Sequence, residues 1–322
     1  MRKLAGLALV GVVVSCIGAE SLRAQAPAQT AAPATFEVTS VKPSNPNASG
    51  PFGSIPMVLP QGLGGFTGTN VPLRLLVRMA YGLQDFQIIG GPSWQMSSKF
   101  DFSAKAAEGT VKNPADLTPL LKSLLADRFK LKTHTETREL PIYALIAARS
   151  DGTLGPDMKP STSDCSGAAA EAQKRAEAIL KGGPAALMSM LPKPGETAKC
   201  SISPAIDLAN PSAGFGLRAD GLPMAQLTAM LTQFTGRSVI DKTGLSGLYD
   251  WVLRFDPQVL LAMLAQQTGI NMPAIGAQAS TLFADSPSLM TALQEQLGLK
   301  LDSQRGPVDV LVIDSAELPE PD

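Results

Sequence analysis

The sequence predicts an α+β protein with two tandem βαββαββ units and an irregular, disulfide-closed linker between them. Three observations support this prediction. The order strand, helix, strand, strand, helix, strand, strand occurs twice along the chain. Residues of the same type recur at matching points of the two copies, which is typical of a duplicated unit. The stretch between the copies is rich in Gly, Pro and Ser and contains two cysteines. One large mixed sheet stays open as the alternative.

The composition indicates a folded protein and excludes several classes of partner. Of the 322 residues, 44% are hydrophobic and 17% are charged, which is enough apolar material for a core. A net charge of −1 argues against a nucleic-acid binder, because phosphate contacts need a surplus of Lys and Arg. One histidine and three cysteines cannot form the usual zinc site. The sequence therefore predicts no nucleic-acid partner, no metal and no cofactor.

The N-terminal sequence predicts export. Two basic residues precede an apolar run over residues 4–14, as in a signal peptide. The predicted signal peptide covers residues 1–26, and a tether rich in Ala, Gln, Pro and Thr continues to residue 34. The alternative is a lipobox-like sequence that ends at Cys16, which would then be lipidated. Both routes predict a periplasmic, secreted or outer-membrane-anchored protein that contacts a membrane only through a lipid anchor.

The two remaining cysteines are predicted to form a disulfide. Export would place Cys165 and Cys200 in an oxidising compartment. With 34 residues between them, the closed loop would stabilise the fold by about 3–4 kcal/mol in the chain-entropy model. Two unrelated buried thiols are the alternative.

The first predicted unit spans residues 35–149. Alternating apolar residues predict its strands, and apolar residues at helical spacing predict its helices. A proline in the first turn marks the start of the first helix. The predicted elements are a strand at 36–41, a loop at 43–68, a helix from 70, strands at 86–89 and from 100, a helix at 117–125, and a hairpin of 129–137 and 142–147.

The linker covers residues 150–204, and the second unit covers residues 205–322. Ala, Glu, Lys and Gln at 168–180 predict a surface helix in the linker. The predicted elements of the second unit are a strand at 215–219, a helix from 223, strands at 238–240 and from 249, an insert at 257–285 with a helix near 259–267, a helix at 289–297, and a hairpin of 299–301 and 308–313.

Three residue patterns match between the units. Pro72 and Pro223 each open a helix. The tripeptides 100–102 (FDF) and 249–251 (YDW) each begin a strand. A proline, at 141 or 307, precedes the predicted final strand of each unit. These matches are the residue-level basis for predicting a duplication.

Further segments resemble a known family. They are residues 36–44 (FEVTSVKPS), 124–131 (LLADRFKL), 241–250 (DKTGLSGLYD) and the closing 312–314 with Pro319. They resemble signatures of a soil-associated, uncharacterised family found in many copies in Acidobacteria, over roughly residue 35 to the end. The resemblance implies no established activity. A similar domain at the C-terminus of some beta-lactam-sensor-type membrane metallopeptidases implies extracytoplasmic sensing. The element order is also similar to the short N-terminal domains of secretins and TonB-dependent receptors, which make protein contacts in the periplasm.

The motif at 241–250 is interpreted as structural. It comes close to a phosphate-binding loop, but Asp241 stands where that loop needs a glycine, and its carboxylate would repel phosphate. Glycines that permit positive φ instead predict a tight connection between strands. The motif residues are Asp241, Lys242, Thr243, Gly244, Gly247, Tyr249 and Asp250.

Two further sets of residues have competing interpretations. His134 and Glu136 share one face of a predicted strand with two basic residues. They could act as an acid/base pair, but we favour a solvated, charged face. Trp94 and Trp251 are predicted to be core anchors, with an exposed binding anchor as the alternative.

The sequence thus favours a non-enzymatic interaction or sensing module that docks to an envelope protein by an edge strand or a surface. No catalytic residue is predicted. One alternative is a hydrolase that uses carboxylates such as Asp241 and Asp250, which would have to converge in a pocket. Another is a binder of a small ligand or glycan, which would use the inserts at 43–68 and 257–285.

Overall fold

The structure is a computed structural model, and it describes residues 36–45, 56–60, 64–108, 110–111, 114–189, 199–205, 215–268, 283 and 285–320. The predicted signal peptide, Cys16 and parts of both inserts lie outside the described residues. Within the described ranges, no helix is both long enough and apolar enough to cross a membrane.

Strands and helices of the described residues form an α+β fold with several sheets. The strands are β1 Phe36–Pro43, β2 Met57–Pro60, β3 Gly65–Pro72, β4 Ile88–Gly90, β5 Lys99–Ala106, β6 Lys132–Ala147, β7 Met158–Pro160, β8 Ser201–Pro204, β9 Gly216–Pro223, β10 Val239–Asp241, β11 Leu248–Arg254 and β12 Leu299–Ser315. The helices are α1 Leu73–Tyr81, α2 Leu117–Arg128, α3 Ala168–Ser189, α4 Met224–Thr235, α5 Gln258–Thr268 and α6 Leu289–Ala292, which continues as a π-helical turn, Leu293–Leu297.

Two four-stranded sheets have the same topology. The first has the order β1-β5-β3-β2, and the second has the order β7-β11-β9-β8. Every neighbouring pair in both sheets is antiparallel. The strands of the first sheet therefore correspond one by one, in chain order and position, to those of the second.

The third sheet joins the two halves of the chain. Its order is β10-β6-β12-β4, and β6 and β12 form an antiparallel pair along their whole length. The short strand β4 of the first half lies parallel to β12, and β10 of the second half lies parallel to β6. Each half thus contributes a short strand that pairs with the long strand of the other half.

The two predicted hairpins are wrong, because β6 and β12 are each one continuous strand. Pro141 and Pro307 had indicated a break, but the ladder accommodates both. The N–H of Tyr143 donates to Ser238 O, just before β10, at 2.9 Å. Odd-numbered residues of β6 therefore direct their N–H away from β12. Pro141 faces Arg305 and Pro307 faces Glu139, both at pairs of this kind, where a missing N–H removes no bond between the strands.

The loop predicted at 43–68 is also wrong in part, because β2 and the start of β3 lie within it. Gly68 had indicated a loop. In β3 it is buried, and the ring of Phe102 occupies the space that a Cβ at this position would need. Glycine is therefore required here by close packing and not by a turn.

The predicted linker 150–204 is not irregular throughout. Besides the expected helix, present as α3, it contains β7 and β8, which are the two edge strands of the second sheet. Each is four residues or shorter, so no hydrophobic alternation could be read from the sequence.

Helix positions agree well with the sequence. α1 and α4 each follow an extended proline, Pro72 or Pro223, and each ends at a left-handed glycine, Gly82 or Gly236. α2 lies where apolar spacing predicted it, and α5 lies where a helix was predicted near 259–267. The apolar face of α1 is buried, as expected from its periodicity.

Two large apolar clusters form the core, and the long strands connect them. One cluster contains the buried faces of α1 and α2, and the other contains those of α4 and α6. Leu311 and Ile313 at one end of β12 belong to the first cluster. Leu145 of β6 and Leu299 of β12 belong to the second. The β6–β12 pair therefore packs against both cores.

Candidate functional site

The predicted motif at 241–250 forms the connection from β10 into β11. The exposed carboxylate of Asp241 accepts hydrogen bonds from the N–H of Thr243, at 2.9 Å, and from its hydroxyl, at 2.7 Å. The Thr243 hydroxyl in turn accepts from the N–H of Leu245, at 3.1 Å. Gly244 and Gly247 have φ values of 73° and 94°. Asp241 thus organises a turn through local hydrogen bonds.

Two other residues of the motif bond to neighbouring strands and to the turn. The backbone N–H of Lys242 donates to Leu145 O on β6, at 2.9 Å. The hydroxyl of Tyr249, a buried residue of β11, donates to Ser246 O in the turn, at 3.2 Å.

Asp250 has a different role, on β11. Its carboxylate accepts the backbone N–H of Gly221 on β9, at 2.9 Å. At this point Asp220 and Gly221 stand opposite Asp250 alone, which makes a β-bulge. The structure does not place Asp241 in the groove that Asp250 lines. The two carboxylates named for a hydrolase therefore hold backbone elements and do not line one pocket.

The disulfide lies beside this bulge. Cys165 and Cys200 are at bonding distance, as predicted, with their Cα atoms 5.7 Å apart. The sulfur of Cys165 is 3.4 Å from Gly221 O. Asp220 accepts a hydrogen bond from the Ser163 hydroxyl, at 2.8 Å, and faces the N–H of Cys200, at 3.5 Å. The disulfide, the start of β8 and the bulge of β9 therefore form one connected region.

An open groove of about 370 Å³ lies on the outer face of this sheet. Its lining residues are Pro156, Asp157, Lys159, Arg218, Ala219, Asp220, Asp250, Trp251 and Val252. Lys159 and Arg218 are exposed, whereas the three carboxylates are half-buried. Lys159 on β7 stands directly opposite Asp250, and β7 is the edge strand of the sheet. The groove therefore combines half-buried carboxylates and exposed cations beside β7, which is an edge strand of the sheet among the described residues.

Local backbone hydrogen bonds stabilise two carboxylates near this region. The N–H of Ser166 lowers the pKa of Asp164, and the N–H of Thr153 lowers the pKa of Asp151. Both carboxyl groups are fully exposed. They stabilise turns at the two ends of the segment that contains β7.

His134 lies on the exposed face of β6, and its hydrogen-bond partner, Asp314, lies far along the chain. Its Nδ1 atom is 2.9 Å from Asp314 on β12, and its Nε2 atom is 4.0 Å from Glu136. Glu136 also pairs with Arg138. The sequence missed Asp314, because only the register of β6 against β12 brings it beside His134. Among the described residues, no cluster of His, Cys, Asp and Glu could hold a metal ion.

The two tryptophans have core positions. Trp251 is 2% exposed and belongs to the second apolar cluster. Trp94 is partly buried against the first cluster, with its ring edge-on to Phe100 at 6.1 Å. Neither is available as an exposed binding anchor.

Comparison with known proteins gives one match. A family model described as "Protein of unknown function (DUF3738)" matches residues 74–316. No curated protein and no solved structure matches the chain.

Proposed function

The chain belongs to the DUF3738 family of proteins of unknown function, and we propose that it is an exported, non-enzymatic interaction or sensing module of the cell envelope. The observation that carries this proposal is the mixed-charge groove beside edge strand β7. An envelope protein would dock there with an extended, charged segment. Strand edges and fixed polar groups are the recurring means of recognising such segments.

The charges of the groove suit recognition better than catalysis. Asp220 accepts a hydrogen bond from the Ser163 hydroxyl, and Asp250 accepts one from the backbone N–H of Gly221 in the bulge. Lys159 and Arg218 are exposed and form no ion pair within the described residues. Exposed charges beside fixed ones select a partner by complementarity and speed its association. A partner segment with alternating charges would match this pattern.

We also propose that the two halves arose by tandem duplication of one α+β unit. Their flanking sheets have the same strand order, and both halves place a bulge of two residues opposite one aspartate. In the first half Asp101 accepts the N–H of Asn70, at 3.0 Å, as Asp250 accepts that of Gly221. In this proposal, β7 and β8 of the second copy correspond to β1 and β2 of the first. The segment between β7 and β8, which contains α3 and both cysteines of the disulfide, has been added to the second copy.

Export and anchoring belong to the same proposal. The N-terminal sequence supports a signal peptide over residues 1–26 or lipidation at Cys16. The resemblance to acidobacterial proteins, to sensor metallopeptidases and to secretin and TonB domains supports an envelope location. Cell fractionation of the full-length protein and of a Cys16→Ala variant separates the two routes, because only a lipoprotein would leave the membrane fraction on losing Cys16.

The docking proposal is tested by crosslinking in cells. The tagged full-length protein is crosslinked and its envelope partners are identified by mass spectrometry. The double variant Lys159→Glu/Arg218→Glu should lose the dominant partner. The matched control, Lys174→Glu/Arg175→Glu, makes the same charge change on the exposed part of α3 and should keep it. Equal partner recovery from both variants, or no reproducible partner, would overturn the proposal.

A further inference from the structure

A second cleft lies between the two halves of the chain and contains the guanidinium of Arg78, which forms no ion pair within the described residues. It has a volume of about 300 Å³. Its lining residues are Arg78, Gln84, Asp85 and Phe86 from the first half, and Gln233, Thr235, Gly236 and Met263 from the second. It is separate from the groove on the outer sheet, so an inference about it does not depend on the docking proposal.

The neighbouring arginine on α1 is already neutralised. Arg74 contacts the carboxylate of Asp85 at 2.5 and 3.2 Å. Its guanidinium also donates to the backbone oxygens of Asp85, at 2.8 Å, and Ile88, at 3.0 Å. The Arg74 guanidinium is therefore engaged by Asp85 and Ile88, while the partly exposed carboxylate of Asp85 also acts on Arg78 through its charge.

Arg78, one helical turn after Arg74, has no such partner in the part of the chain that the structure describes. Its Nε atom is buried and forms no hydrogen bond within the described residues. None of the ion pairs in that part of the chain includes its guanidinium. Burial lowers the pKa of Arg78, while the carboxylate of Asp85 raises it and the charge of Arg74 lowers it. An arginine stays charged in spite of such shifts, so the cleft contains one uncompensated positive charge.

From this geometry we infer that the cleft binds a small organic monocarboxylate through the Arg78 guanidinium. A planar fork of N–H donors matches a carboxylate and offsets the cost of the half-buried guanidinium, whose Nε atom forms no hydrogen bond within the described residues. The half-buried side chains of Phe86 and Met263 offer apolar contact for a short aliphatic tail. The amide of Gln233 is exposed at the cleft and can donate to the same anion.

The charge of the cleft favours a monoanion over a dianion. Arg74, Arg78 and Asp85 together carry one net positive charge. A group with two negative charges would face the carboxylate of Asp85 without a second free cation. The size of the cleft limits the ligand to a small molecule or to the end of a chain.

Binding is tested on the full chain by thermal unfolding and calorimetric titration. The probes are sodium butyrate, its neutral isostere butyramide and inorganic phosphate. The ionic strength is kept the same in all three titrations. We expect butyrate alone to raise the unfolding temperature. Arg78→Gln should weaken butyrate binding roughly tenfold or more, since it removes a charge-assisted bond. Arg149→Gln changes an exposed arginine outside the cleft and should leave binding unchanged.

A second variant keeps the test decisive if Arg78→Gln does not fold. Gln233→Glu adds a carboxylate at an exposed position of the cleft, where it competes for the guanidinium and repels the anion. Gln226→Glu makes the same change two turns earlier on α4, also at an exposed position. Only Gln233→Glu should abolish butyrate binding. An equal effect of butyramide or phosphate, or no loss of binding in Gln233→Glu, would overturn the inference.

Discussion

Asp250 holds the bulge of β9 closed by accepting the backbone N–H of Gly221, at 2.9 Å. Gly221 has a φ of 62°, in the left-handed region that glycine adopts without strain. In the first half, Asn70 has a φ of 56° and donates its N–H to Asp101, at 3.0 Å. Asparagine is among the few other residues that tolerate this conformation. The bulge therefore depends on one aspartate and one left-handed residue in each half.

Replacing Gly221 with alanine should destabilise the fold by roughly 2 kcal/mol or more. Alanine at this φ is strained, and its Cβ would lie 2.6 Å from the sulfur of Cys165. Gly244→Ala is the matched control, because Gly244 also has a positive φ but no atom within 4 Å of an added Cβ. It should cost only the backbone strain, about 1 kcal/mol. Urea unfolding of both variants checks this. A Gly244→Ala cost equal to that of Gly221→Ala would contradict the contact with the disulfide.

Replacing Asp250 with alanine should cost about 1–3 kcal/mol, because the N–H of Gly221 loses its acceptor inside the sheet. Asp101→Ala should cost at least as much, since Asp101 also accepts from the Ser44 hydroxyl, at 2.6 Å. Asp241→Ala is the comparison, because its turn is exposed to water, and about 1 kcal/mol or less is expected. Denaturant unfolding gives the three values. A larger loss for Asp241 than for Asp250 would contradict the assignment of Asp250 to the bulge.

Much of this arrangement could be predicted from the sequence, and the reasons for the failures are physical. The matched tripeptides around Asp101 and Asp250 correctly indicated equivalent strands, and prolines before α1 and α4 marked both helix starts. These signals are local. The hairpins failed because the cost of a proline at residue 141 depends on whether its nitrogen faces β12, and β12 lies far along the chain.

The site was harder to predict for the same reason. Asp250 was singled out, but its bond to Gly221 requires the bulge register of β9 against β11. Asp314 beside His134 and the cleft around Arg78 each depend on contacts between the halves. No local pattern of residue types encodes such contacts. The disulfide could be predicted over a long range, because the predicted export and the number of cysteines restricted the choice.

Reducing the disulfide should lower the free energy of unfolding by about 3–4 kcal/mol, since it closes a long loop in the unfolded chain. The sequence separation of the two cysteines is 35 residues. Unfolding with and without a phosphine reductant measures the effect. The double variant Cys165→Ala/Cys200→Ala should show the reduced stability and no response to the reductant. A wild-type protein whose stability is unaffected by reduction would contradict this role.

The first half, expressed alone as residues 35–149, should not fold cooperatively. In the full chain β4 and β6 both pair with β12, and Leu311 and Ile313 of β12 complete the first core. The fragment would expose these strand edges and lose that packing. Contacts join Pro33–Asp322 into one compact unit, which agrees with this expectation. Circular dichroism during thermal unfolding is the measurement. A sharp transition of the isolated fragment would show that the halves are independent domains.

A pair of proline substitutions tests the register of the long strands. Odd-numbered residues of β6 direct their N–H away from β12, so Glu139→Pro removes no bond of the ladder and should change stability by less than about 1 kcal/mol. Leu140 faces Gly306 at the next pair, where its N–H points toward β12. Leu140→Pro should therefore cost about 2–3 kcal/mol, because it removes a bond and leaves a carbonyl of β12 without a donor. Leu140→Ala is the control for the lost side chain, and its loss of stability is subtracted from that of Leu140→Pro. Urea unfolding distinguishes the two positions, and equal costs for both prolines would mean that β6 and β12 pair in another register.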